Sequence, residues 1–352
     1  MTARSPEGAP VQTAFTRAVG CEVPLICGAM YPCSNPELVA AVSAAGGVGV
    51  VQPISLSFVH GHDLREGLRL ISRLAGGKPI GFNAIVEKSS RIYEERMRKW
   101  VGVALEEGVR FFVTALGDPR WVTDLVHAAG GVVYHDVTER RWAQKALEGG
   151  VDGLICVNRR AGGHAGQRTA EALLDELRDL GVPLVCAGGI GDPADFRAAL
   201  DLGYAACQLG TRFIATTECT AHADYKAAIV RARPEDIVLT ERISGVPVAV
   251  IRTPYVEATG TRAGPIARRL LKHRRAKHWM RLYYSLRSIW SLKRANLRGD
   301  GYRDYLQAGQ SVGGIDGVLP AGEVVRRFAA ALAPAPADAQ ATRAEAGAAA
   351  PV

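Results

Sequence analysis

Long apolar runs are missing from this 352-residue chain: nowhere do about 18 apolar residues stand together, the length a helix needs to cross a bilayer, so no membrane span is expected. The first twelve residues contain Arg, Ser, Pro and Gly but no apolar core segment. No secretory signal is therefore expected, and a cytoplasmic location is. Cysteine is sparse and unpatterned. The seven Cys form no Cys-x-x-Cys pair and stand at no zinc-finger spacing to His, which excludes a zinc module and predicts no metal site. Cys156, Cys186 and Cys207 sit inside apolar runs, where a thiol acts as a small hydrophobe, and reduced thiols are expected. The 39 glycines follow no Gly-X-Y period, so a collagen-like fibre is excluded. The net charge of +8 is local: residues 257–305 hold thirteen Lys and Arg against Glu257, Asp300 and Asp304. No nucleic-acid-binding motif accompanies them, so no nucleic acid partner is expected.

What the sequence does have is a rhythm. Short β-branched runs at Val23–Cys27, Val48–Gln52, Pro79–Ala84, Phe111–Thr114, Gly131–His135, Gly153–Val157, Pro183–Ala187 and Ala205–Gly210 alternate with helical stretches. The predicted helices are Asn35–Ala45, Asp63–Leu74, Ser90–Glu107, Pro119–Ala129, Thr138–Glu148, Thr169–Leu180 and Asp192–Leu202. Pro follows a capping residue at Asn35-Pro36 and Asp192-Pro193, and Gly closes several helices, as at Glu107-Gly108 and Leu202-Gly203. Strands apolar on both faces, each followed by a helix, form a parallel sheet. Eight such units predict an α/β fold of the (β/α)8 TIM-barrel type, with an open doubly wound sheet as the alternative.

The expected organisation is a disordered segment 1–12, a barrel over 13–215, a helical lid insertion over 216–305, a helical return over 306–332 and a disordered Ala/Pro-rich tail over 333–352. Within the insertion, a helix is expected near Thr220–Arg231, a Pro/Gly/Thr-rich stretch at 244–265 and a basic amphipathic helix beyond it.

Active sites of such barrels form at the carboxyl ends of the strands. Those ends read Gly28-Ala29-Met30, Gln52-Pro53, Asn83, Thr114, His135-Asp136, the loop Arg159–Gln167, Gly188-Gly189-Ile190 and Gly210-Thr211. Two of them, Ala187-Gly188-Gly189-Ile190-Gly191 and Gln208-Leu209-Gly210-Thr211, have the character of a phosphate site. Glycine lets backbone N–H groups approach phosphate oxygens, and strands seven and eight are the usual place. A third, Arg160-Ala161-Gly162-Gly163-His164-Ala165-Gly166, projects one imidazole between glycines, so His164 is the candidate proton-transfer group.

Taken together, Pro24 to Met30, Ala45-Gly46-Gly47-Val48-Gly49, Gly81-Phe82-Asn83, Ala161 to Gly166, Ala187 to Ile190 and Gln208 to Thr211 resemble the nitronate monooxygenase family, formerly called 2-nitropropane dioxygenase. That family includes FMN-dependent enoyl-ACP reductases and some NADH:quinone reductases. The resemblance covers about residues 20–215 and, more weakly, Ala308 to Ser311. It implies FMN at the barrel mouth, with Gly28, Ala29, Met30 and Asn83 beside the ring and Gly162 and Gly163 lining it. Gly188, Gly189, Gln208, Gly210 and Thr211 would belong to the same cofactor site, the glycine pairs and Thr211 holding the phosphate, and His164 would be catalytic. It implies oxidation of alkyl nitronates with O2, or alternatively NAD(P)H-dependent reduction of an enoyl thioester or a quinone; a flavin-carrying component of a biosynthetic assembly is a third reading.

One stretch departs from the family pattern. Many members have Gln-Gly-x-Glu before Ala-Gly-Gly-His, where this chain has Val157-Asn158-Arg159-Arg160. Arg160 fits either an anionic substrate or a surface acid. His135 is expected to be a packed histidine rather than a ligand contact, and His60-Gly61-His62 a solvated loop, since two His alone make a poor metal site. The basic segment 262–294 fits either an ordinary lid helix or a surface for an acidic acyl carrier or CoA phosphates.

Overall fold

The computed structural model describes residues 12–87, 91–243, 246–262 and 305–333. Eight parallel strands close into a barrel in chain order: β1 Leu25–Cys27, β2 Val48–Val51, β3 Gly81–Ile85, β4 Phe111–Ala115, β5 Val132–Val137, β6 Gly153–Val157, β7 Leu184–Ala187 and β8 Ala206–Leu209. The doubly wound alternative is excluded by the pairing of β1 with β8, in which Ile26 lies opposite Gln208.

Helices wrap the outside. They are α2 Pro36–Ala44, α3 Leu64–Leu74, α4 Arg91–Glu106, α5 Arg120–Ala128, α6 Arg140–Glu148, α7 Ala170–Leu177 and α8 Pro193–Leu202, numbered after a short α1, Ala14–Val19. Their caps follow the expected chemistry. The Asp192 side chain accepts from the Asp195 N–H, with Pro193 in the first turn, and Gly203 ends α8 in the left-handed conformation.

The strand register orders the barrel interior. Val48, Phe111, Gly153 and Ala206 form one inward layer from the even strands, and Ile26, Gly81, Tyr134 and Val185 the next from the odd ones. Such alternation is what a shear of eight residues imposes. Large and small side chains must then complement each other. Gly153 lies under the Tyr134 ring, where a Cβ would fall 2.4 Å from a ring carbon.

The amino end of the barrel is plugged by a helix with no counterpart in the expected element order. Thr13 and Thr16 cap α1 reciprocally, and Phe15 packs edge-on against Phe111 and Tyr134 at ring-centroid distances of 5.6 and 5.7 Å. Phe15 is completely buried. This leaves the carboxyl end as the open mouth.

After β8 come a one-turn helix α9, Thr211–Ile214, and α10, Ala223–Arg231. The excursion is not only helical. β9, Ile237–Thr240, and β10, Val248–Ile251, pair antiparallel, both being β-branched runs able to cover an apolar surface. Among the described residues two further helices follow, α11 at Pro254–Thr259 and α12 at Ala321–Ala330, the second packing on α2 and α8. Most of the basic segment lies outside the described residues. Among the described residues, no helix is long and apolar enough to cross a membrane.

Candidate active site at the carboxyl end of the barrel

The residues singled out from the sequence meet in pairs around the mouth. Gly28 follows β1 and its N–H donates to Leu209 O at 3.0 Å, which extends the β1–β8 pairing. The side chain of Gln208 lies over it, with Cγ 3.0 Å from where a Gly28 Cβ would stand. Met30 reaches the same corner, its Sδ 3.5 Å from the corresponding position on Gly210. Ala29 packs against the interior cluster, and Asn83 is buried in the middle of β3, two residues before the strand's end. Gln52 turns back on its own loop, where its Oε1 accepts from the Ile54 N–H at 2.7 Å.

The other corner is built by close backbone approach. Gly162 sits against Gly309, and a Cβ on either would fall within 2.9 Å of the other's backbone nitrogen. Thr211 Oγ1 accepts from the Gly309 N–H at 3.0 Å, and Arg160 O accepts from the Gln310 N–H at 2.9 Å. The Ala308 to Ser311 motif is thereby a clamp on the loop after β6. The two-stranded excursion holds that loop from the opposite side, because Gly163 O accepts from the Ala249 N–H at 2.8 Å. His164 thus hangs from a loop fixed at both flanks. It is open on the mouth side, yet protein surrounds the ring at longer range, and this desolvation holds its pKa below the ordinary histidine value.

Gly188 and Gly189 both have positive φ, 116° and 81°. Neither position has room for a side chain. A Cβ on Gly188 would fall 2.6 Å from Ala161 N and 2.7 Å from Asn158 Oδ1, and one on Gly189 2.7 Å from Arg160 Nε. The N–H groups of Gly189 and Ile190 donate to no described acceptor. Arg160, expected to meet either a substrate anion or a surface acid, lies beside Gly189 and is ion-paired to an acid. Its nearest carboxylate is Asp195, at 4.0 Å.

His135 is a packed residue, as expected. It faces away from the barrel axis, Nδ1 is 2.8 Å from Thr114 Oγ1, and burial lowers its pKa to about 4. His60 Nε2 lies 3.1 Å from Pro32 O, which ties that loop down. No group of three or more His, Cys, Asp or Glu suited to a metal ion occurs among the described residues. Two features escaped the sequence reading. Leu116 at the tip of β4 has φ 63° and is 61% exposed beside the mouth, a conformation that costs a non-glycine residue about 1–3 kcal/mol. Asp136, noted only as a neighbour of His135, turns inward.

A (β/α)8 barrel with glycines and a loop imidazole at its strand ends can host many chemistries, and it is the family match that makes this chain an oxidoreductase. The sequence profile of the nitronate monooxygenase family matches residues 12–330, and the chain is a member of that family. A "(3aS,4S,5R,7aS)-5-hydroxy-7a-methyl-1-oxo-octahydro-1H-indene-4-carboxyl-CoA dehydrogenase" of Rhodococcus jostii is 25% identical over 87% of this chain and 91% of its own length. A nitronate monooxygenase of Pseudomonas aeruginosa is 29% identical, covering 66% of this chain and 77% of the relative. Among solved structures, FabK from Thermotoga maritima superposes with a TM-score of 0.74 at 28% identity, over 96% of this chain and 99% of FabK.

Proposed function

We propose that this oxidoreductase uses FMN and oxidises alkyl nitronates, with O2 as the electron acceptor. The observation that carries the cofactor reading is the Gly188–Gly189 turn, where the N–H groups of Gly189 and Ile190 donate to no described acceptor and the Arg160 guanidinium lies beside Gly189. A phosphate fits this donor set, since N–H groups and a planar cation both favour a dianion. Gly210 and Thr211 complete the cradle from β8. Gly28, Ala29, Met30, Asn83, Gly162, Gly163 and Gln208 border the space for the ring. When bound, FMN supplies the two-electron acceptor that none of these side chains provides.

The chain's own part is to place the substrate carbon and to move a proton. Desolvation holds the His164 pKa below the ordinary histidine value, so near pH 7 the imidazole is in its neutral form, the form that can take a proton from a carbon acidified by a nitro group. Loop attachment at Gly162–Gly309 and Gly163–Ala249 restricts where that nitrogen points. A nitronate arrives deprotonated and needs His164 only for orientation.

A second reading, oxidation or reduction at the carbon next to a thioester, is favoured by the similarity to the carboxyl-CoA dehydrogenase of Rhodococcus jostii. It uses the same imidazole, since a thioester carbonyl also acidifies its neighbour. An acidic carrier or CoA phosphates would then meet the basic segment, of which residues 263–304 lie outside the described ones. Anaerobic bleaching of the FMN-loaded protein separates the readings. Rapid bleaching by propyl nitronate supports the first, and bleaching by NADH with reoxidation by an enoyl thioester supports the second. No bleaching by any of these overturns both.

A further inference from the structure

β5 ends in two ionisable residues that face opposite ways. His135 points outward to Thr114. Asp136 lies opposite Ile155 of β6, which is part of the interior cluster, so it faces the barrel axis. The register carries the layers of four up to the mouth. Gly28, Asn83, Asp136 and Ala187 are the inward positions of the four odd strands at one height, one layer above Val50, Val113, Ile155 and Gln208. Gly28 contributes no side chain to this layer and Ala187 only a methyl group. Asn83 and Asp136 are therefore its two polar members, on alternate strands around the space where a flat ring would rest.

Asp136 is half-buried as a residue, but its Oδ1 is sealed from solvent and meets no hydrogen-bond partner among the described residues. An unmade hydrogen bond on a buried oxygen costs about 1–3 kcal/mol unless something supplies the partner. No ion pair holds the group either. Its inward neighbours carry no charge: Ala115 on β4 and Ile155 and Val157 on β6, with the Cys156 thiol, pushed up by burial, on the outer face. Asp118 follows β4 and His164 hangs from the loop after β6. Burial raises the Asp136 carboxyl to about 7, so much of it is a neutral acid at physiological pH and can donate.

We propose that Asp136 is a cofactor-binding residue that donates a hydrogen bond from its carboxyl group to an acceptor atom, a carbonyl oxygen or ring nitrogen, on the flavin ring seated over this layer. The inference rests on the flavin reading above and adds a polar contact at the ring to the phosphate contacts at β7 and β8. A neutral donor there strengthens as the ring gains electrons, whereas a carboxylate repels the electron-rich ring. FMN affinity and the flavin midpoint potential must both fall as pH rises through the Asp136 titration.

Fluorescence quenching of FMN by the apoprotein, measured at pH 6.0 and 8.5, tests this. One linked proton changes affinity by at most about tenfold per pH unit, so the wild-type Kd should rise about tenfold or more over this interval. Asp136→Asn keeps an amide donor that does not titrate, and its Kd should change by less than about threefold, the flavin phosphate's own titration near pH 6 being common to both proteins. Asp136→Leu should bind weakly at both pH values. The midpoint potential of the loaded wild type should fall more steeply with pH than that of Asp136→Asn. Tight wild-type binding with a flat pH profile, or an Asp136→Asn profile that follows the wild type, overturns this assignment alone. Failure of the wild type to bind FMN at either pH overturns it together with the flavin reading.

Discussion

The guanidinium of Arg160 fills the space that a side chain at residue 189 would need: a Cβ there would fall 2.7 Å from Nε and 2.8 Å from Cζ. The two residues come from different strand ends, β6 and β7, and together make a cation backed by a bare backbone.

Arg160→Gln should therefore weaken FMN binding without unfolding the barrel. A charge-assisted hydrogen bond contributes about 1.5–3 kcal/mol. The Arg160 side chain is 44% exposed, so solvent screening brings the expectation to about 1 kcal/mol, roughly fivefold in Kd. The salt dependence of Kd should shrink as well. Unchanged affinity at low ionic strength would place the phosphate elsewhere.

Gly189→Ala acts on the same pair from the other side. The methyl group would displace the guanidinium and meet a φ of 81°, so FMN affinity should fall further than for Arg160→Gln. Gly189→Asp should abolish binding, because like charges about 4 Å apart repel by about 4 kcal/mol at an effective dielectric of 20. Isothermal titration with FMN ranks the three variants, and full occupancy in Gly189→Asp would contradict the cradle.

His164→Ala should retain FMN, since the proposed phosphate contacts come from other positions, yet lose about 10²–10⁴-fold with a neutral nitroalkane. Nitronate oxidation should suffer less. Turnover of both substrates at matched flavin content gives the comparison, and losses below about twofold for both would leave His164 a packing residue.

The sign of the pH dependence follows from the lowered His164 pKa. The base form is present above that pKa, so nitroalkane turnover should rise with pH and level off with a midpoint below about 6.5, the ordinary histidine value. In His164→Ala this rise should vanish. A midpoint above the ordinary value in the wild type would contradict the desolvated environment.

Gly153→Ala tests the interior layers apart from chemistry. Its methyl group would overlap the Tyr134 ring, and overpacking of this kind costs about 1–3 kcal/mol. A lowered denaturation midpoint with unaltered FMN affinity is expected, and a wild-type midpoint would mean that the aromatic plug of Phe15, Phe111 and Tyr134 yields freely.

All eight strands and the seven helices that follow the first seven of them were legible because each strand is apolar on both faces and most helices carry their own stop signal. The strand edges differ from the expected ones by two residues at most, as at Val23 and Val137. α1 was not legible: six residues capped by Thr13 and Thr16 show no periodicity, and only their contact with Phe111 and Tyr134 explains them. β9 and β10 were hidden because a Gly-Val-Pro stretch between them reads as loop. The bridges of β10 run to Gly163 and Gln307, far away in sequence. The site glycines were visible by position at strand ends. The directions of Arg160 and Asp136 were not: β5 carries valine on both of its faces, so inward or outward facing of Asp136 follows only from the register.

The central claim, that the barrel mouth holds FMN over the β7–β8 cradle, is tested most directly by equilibrium titration of the purified apoprotein with FMN beside the same titration with riboflavin. The account predicts saturation at one FMN per chain and, because the phosphate contacts are missing, riboflavin affinity weaker by at least about tenfold, the equivalent of about 1.4 kcal/mol. A protein that takes up no FMN, or one that binds riboflavin as tightly as FMN, would contradict it.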